Sequence, residues 1–125
     1  MDVGMEYEIL MLQLGSLARK LFNAEENLSK YQEALEKAIA NLEKENRDLE
    51  RLRNDSFSNT LLKLFGNFDR RYDKEYREII GAKVEFDKAY AMKIAAARRV
   101  KEVEADIEEK KLRLRNIKED VLRKH

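Results

Sequence analysis

Apolar residues recur every seven positions in two separate stretches of the chain, and each repeat marks a line of helix contact, called a seam below. In the first stretch the repeat is carried by leucines at Leu14, Leu21, Leu28, Leu35, Leu42 and Leu49. In the second it is carried by Phe65, Tyr72, Ile79, Phe86, Val100, Ile107, Leu114 and Val121. Interleaved apolar positions complete the two seams and include Leu10, Leu17, Ala24, Ala82, Ala89, Ala96 and Val103. This period predicts two long α-helices in left-handed coiled-coil packing.

A polar cluster separates the two stretches. It consists of Asn54, Asp55, Ser56, Ser58, Asn59 and Thr60. Such side chains compete for backbone hydrogen bonds, so they predict a turn. We therefore expect one domain over residues 1–125, with a helix at about 2–53, a tip at about 54–67 and a helix at about 68–124. Two amphipathic helices joined in this way fold back on each other. The predicted fold class is all-α, an antiparallel coiled-coil helical hairpin.

Side-chain sizes along the seams favour one register of this hairpin. In the preferred register Leu35 faces Ala89 and Leu28 faces Ala96, so a large residue meets a small one, as even packing requires. A slip of one heptad is the main alternative, and it would set Glu45 against Tyr72.

Further apolar residues lie beside the seams, which suggests a second interface. They are Met11, Ala18, Ile39, Tyr76, Tyr90, Met92 and Ala97. A widened seam is typical of a four-helix bundle, so we expect two hairpins to associate as a homodimer. The alternative is a monomer on which these residues are scattered, solvent-tolerated apolar groups.

Charge and composition limit the classes of function. The chain has 26 basic and 25 acidic residues, which gives a net charge of +1. Charged residues make up 41% of the sequence, and Pro, Cys and Trp are absent from it. No overall field draws it towards nucleic acid or a membrane surface, and no disulfide can form. The first residues include Asp2 and Glu6 in place of a basic signal region. We expect a cytoplasmic protein.

Catalytic chemistry finds little support in the sequence. The single histidine is His125, which excludes a histidine-based metal centre, and the four glycines are too far apart for a phosphate-binding loop. We therefore predict no enzyme activity, no cofactor and no metal. Glu45 and Glu75 fall on the seams, where we expect them to fix the register.

Two apolar sets are candidate contacts for a protein partner of a structural or adaptor module. Met5, Ile9 and Leu12 form a line on the side of the first helix turned away from the seam. The second set lies in the tip and comprises Phe57, Leu61, Leu62, Leu64 and Phe65. The tip residues could instead fold over and close the end of the bundle.

A nucleic-acid-binding helical arm is the alternative function. Its candidate residues are the basic ones of the second helix, Arg98, Arg99, Lys110, Lys111, Arg113 and Arg115. Cations near a helix C-terminus also complement the helix dipole. This gives a purely structural explanation for those basic residues that lie nearest the end of the second helix.

The tip and the returning helix resemble a group of uncharacterised bacterial coiled-coil hairpin proteins, chiefly of Firmicutes. The resemblance is carried by the segment from Ser58 to Gly66, followed by Tyr72, Lys74, Glu75, Glu78, Ala82, Lys83 and Asp87. It implies a bacterial, cytoplasmic protein and no known activity.

Overall fold

The computed structural model describes residues 2–54 and 68–124. They form two helices, α1 over Val3–Asn54 and α2 over Phe68–Lys124. The predicted all-α helical hairpin is confirmed. The predicted tip contacts lie outside the described residues, and association into a four-helix bundle stays a prediction.

Asp2 caps the start of α1. Its side-chain Oδ1 accepts a hydrogen bond from the backbone N–H of Gly4 at 3.0 Å, and its carbonyl accepts one from the N–H of Glu6 at 3.0 Å. A helix begins with backbone N–H groups that lack intrahelical partners, and a capping aspartate satisfies one of them. Glu6 in the first turn of α1, and Arg123 and Lys124 in the last turn of α2, match the helix dipoles.

The described residues fall into two compact units. The terminal unit contains α1 up to Lys30 and α2 from Ile94. Its buried apolar residues all occupy predicted seam positions: Leu10, Leu17, Ala24, Ala96, Val100 and Val103. Leu14, Leu21 and Leu28 are only half-buried, so one of the two seam positions in each heptad of α1 is incompletely covered here.

The central unit contains α1 from Tyr31 and α2 up to Lys93. Its buried residues are Leu35, Ala82, Ala89 and the charged Glu45. A shallow groove here is lined by residues of both helices: Tyr31, Ala34, Lys37, Ala38, Asn41, Glu85, Lys88, Ala89 and Met92. These neighbours agree with the preferred register, in which Leu35 faces Ala89.

Candidate functional site

A cluster of carboxylates lies on the seam of the central unit. Glu45 and Asp48 are three positions apart on α1, a spacing that puts both side chains on one side of the helix. Glu75 of α2 joins them, and one carboxylate oxygen from each residue lies within 4.8 Å of the other two. Three carboxylates from two helices therefore meet where a coiled coil ordinarily buries apolar groups.

The cluster contains buried oxygen atoms that lack hydrogen-bond donors. Glu45 is only 9% exposed. Its Oε2 atom, and the Oε2 atom of Glu75, are buried and accept no hydrogen bond from the part of the chain that the structure describes. A buried polar atom without a partner is costly, particularly when it carries charge. The cluster is consequently a place where a proton or a cation would stabilise the folded chain.

The surroundings of Glu45 favour its neutral form. Burial raises the pKa of the Glu45 carboxyl above its ordinary value. A hydrogen bond with Glu78 and the negative charges of Glu78 and Asp48 raise this pKa further, whereas the positive charge of Lys44 lowers it. A hydrogen bond between two carboxyl groups needs a proton on one of them, and that one donates. Glu78 is also within 3.9 Å of Lys74 Nζ, at the more exposed side of the cluster.

Sequence reasoning found part of this cluster. Glu45 and Glu75 are predicted seam residues, and the structure brings them together. Asp48 was missed because its heptad position lies beside the seam, where acidic residues are ordinarily solvated. The available signal was its place one helical turn beyond Glu45.

The predicted line of Met5, Ile9 and Leu12 lies in the terminal unit. These side chains are 56%, 38% and 74% exposed, respectively. Because these side chains are exposed, the line can contact a protein partner. A groove also lies in this unit, with a mostly apolar lining of Val3, Gly4, Tyr7, Glu8, Ile117, Lys118, Val121 and Leu122.

A second apolar edge of α1 borders the half-buried leucines. Met11 and Phe22 are 46% and 61% exposed. They follow the same helical spacing as Leu14, Ala18 and Leu21, so the five residues form a continuous strip, called the leucine edge below. Phe22 was not singled out from the sequence, although its spacing from Met11 and Ala18 was a usable signal.

The basic residues of α2 alternate with acidic partners. Ion pairs join Arg99 to Glu102 at 3.8 Å, Lys110 to Glu109 at 3.9 Å, Lys111 to Glu108 at 3.8 Å and Arg113 to Glu109 at 3.6 Å. Such pairs at the surface add little stability, but they offset much of the positive charge that phosphate binding uses. Arg98 and Arg115 lie on exposed positions of the same helix.

No family model, curated protein or solved structure matches this chain. The resemblance to bacterial coiled-coil hairpin proteins stays a prediction. Within residues 2–54 and 68–124, neither helix contains a segment with the length and apolar character needed to cross a membrane.

Proposed function

We propose that this protein is a non-enzymatic structural or adaptor module that self-associates into a homodimer of helical hairpins. The observation that carries the proposal is the leucine edge, where half-buried seam leucines continue into exposed apolar side chains. A partner helix packed on this edge would cover the apolar surface of seam leucines that a single hairpin leaves partly exposed.

The spacing of the leucine edge suits a helical partner. Met11, Leu14, Ala18 and Leu21 alternate steps of three and four residues, which is the seam pattern of a coiled coil. Covering apolar surface gains roughly 25 cal/mol per Å², so the remaining exposed area of the half-buried leucines and the exposed ring of Phe22 give association a driving force. Aromatic residues at the centre of an interface commonly contribute most to its affinity.

A second copy of the chain is the partner that these observations favour. The net charge of +1 gives two copies no strong mutual repulsion. A helical edge with seam spacing can pair with the same edge of another copy across a two-fold axis, which is the commonest symmetry of protein oligomers. The line of Met5, Ile9 and Leu12 then serves as the candidate contact for a different protein, as an adaptor requires.

The test is the solution mass over a wide concentration range, measured by light scattering and sedimentation equilibrium. We expect twice the chain mass of 14.8 kDa at high concentration. The variant Phe22→Gln should weaken the dimer at least about 30-fold, because truncating an interface aromatic commonly costs 2 kcal/mol or more. Leu112→Gln is the matched control, since Leu112 is 51% exposed on α2 of the same unit.

Three results would count against the proposal. One is a monomer at every concentration, and another is an equal effect of the Phe22→Gln and Leu112→Gln substitutions. The third is dissociation by Leu12→Gln with no effect of Phe22→Gln, which would place the interface on the line of Met5, Ile9 and Leu12.

A further inference from the structure

We propose that the carboxylates Glu45, Asp48 and Glu75 bind one divalent cation of the calcium class. These residues belong to the central unit and the leucine edge belongs to the terminal unit, so different substitutions test the two proposals. The bound cation would tie α1 to α2 within the central unit.

The ligand chemistry selects the type of cation. All three residues offer carboxylate oxygens. Hard divalent cations prefer oxygen ligands, whereas zinc and copper favour sites that contain nitrogen or sulfur. Three carboxylates also carry enough negative charge to balance a divalent ion.

The three oxygen atoms lie close enough together to share one cation. One oxygen from each of the three residues lies within 4.8 Å of the others. Calcium binds oxygen at 2.3–2.6 Å, so ligands on opposite sides of the ion are about 5 Å apart. Magnesium needs distances of 2.0–2.1 Å and places opposite ligands about 4 Å apart. All three oxygens can therefore reach one cation, and calcium is favoured because magnesium demands near-ideal octahedral geometry and usually keeps several waters in place of an all-protein ligand set.

Burial provides the second, independent observation. Glu45 is nine-tenths buried and its Oε2 atom has no hydrogen-bond donor among the described residues, as is also true of the buried Oε2 atom of Glu75. Solvated acidic residues on a helix surface have water on their oxygens, so they carry no such deficit. Here two buried oxygens, one from each helix, need a positive partner.

The experiment measures calcium binding to the full chain. Isothermal titration with CaCl₂ should show about one site per chain. Thermal unfolding should move upwards in CaCl₂ relative to EDTA and should keep rising with the logarithm of the calcium concentration above the Kd. At a free calcium concentration ten times the Kd, the folded state gains about 11-fold over the unfolded state, which corresponds to a rise of roughly 3–6 °C.

Two variants and one matched control identify the site. Glu45→Gln and Glu75→Gln keep the side-chain size, remove one ligand charge each and should weaken calcium binding at least ~10-fold. Glu104→Gln removes the same charge from an exposed position of α2 and should bind calcium like the wild type. Circular dichroism checks that each variant retains its helices, and direct titration remains informative even if the thermal midpoint changes.

Several outcomes would overturn the proposal. These are the absence of a saturable calcium effect, an equal effect of NaCl at matched ionic strength, and equal calcium binding by the Glu45→Gln and Glu104→Gln variants. Tighter binding of MgCl₂ than of CaCl₂ would overturn the assignment to a calcium-sized ion.

Discussion

Val103 offers a sharp test of the seam because it is only 1% exposed. The substitution Val103→Ala removes two methyl groups, and at about 0.8 kcal/mol for each buried carbon the loss is about 1.6 kcal/mol. A cavity that closes incompletely adds up to about 1 kcal/mol. The higher helix propensity of alanine offsets about 0.5 kcal/mol of this loss in stability. The expected net loss in the free energy of unfolding is therefore about 1–2 kcal/mol.

Val84→Ala is the matched control for this prediction, because Val84 is on the same helix and 58% exposed. It makes the same chemical change without the burial, so it should be neutral or stabilising by about 0.5 kcal/mol. Urea unfolding monitored by circular dichroism at one fixed protein concentration measures both variants. With a slope of about 2 kcal/mol per M, the midpoint for Val103→Ala should fall by about 0.5–1 M. Equal midpoints for the two variants would refute the burial of Val103 in a packed seam.

Three further substitutions test other features. In EDTA, the free energy of unfolding of the wild type should fall relative to that of Glu45→Gln as pH rises from about 4.5 towards neutrality. A raised pKa means that the folded chain holds the proton more tightly than the unfolded chain does, so the folded state loses stability as the proton leaves. A difference in unfolding free energy between the wild type and Glu45→Gln that did not change with pH would contradict this prediction. Gly81→Ala should stabilise by about 1 kcal/mol in urea unfolding, because an added Cβ meets nothing within 4 Å, and a loss would reveal a hidden contact. Asp87→Asn breaks the exposed 2.7 Å pair with Lys83 and should cost at most about 0.5 kcal/mol; an effect that survives 1 M NaCl would count against simple ion pairing.

The heptad pattern was sufficient to predict the two helices and the face of each helix that is buried. Leu10, Leu17 and Val103 are buried at seam positions because a seven-residue period keeps the same face of each helix towards its neighbour. The degree of burial was not predictable in the same way. Leu14 occupies the seam as regularly as Leu17, yet it is half-buried, because coverage depends on the side chains opposite and on further helices.

The carboxylate cluster shows a different limit of sequence reasoning. Glu45 and Glu75 could be placed on the seams, but their meeting with Asp48 depends on the register and on side-chain directions between two helices. A helical repeat describes one helix at a time. It therefore identifies unusual seam residues without showing which unusual residues of the other helix they meet.

The contacts of the two units enclose very different lengths of chain. In the central unit Glu45 meets Glu78, whereas the groove of the terminal unit joins Val3 and Tyr7 to Ile117 and Val121. Closing a longer loop costs more conformational entropy, so contacts of the central unit should form first during folding and shorten the loop that remains. The seam with buried carboxylates would then form early, and most of the apolar core would be added later. Interactions that form late mainly slow unfolding, so the terminal unit should set the lifetime of the folded hairpin while the central unit sets its folding rate.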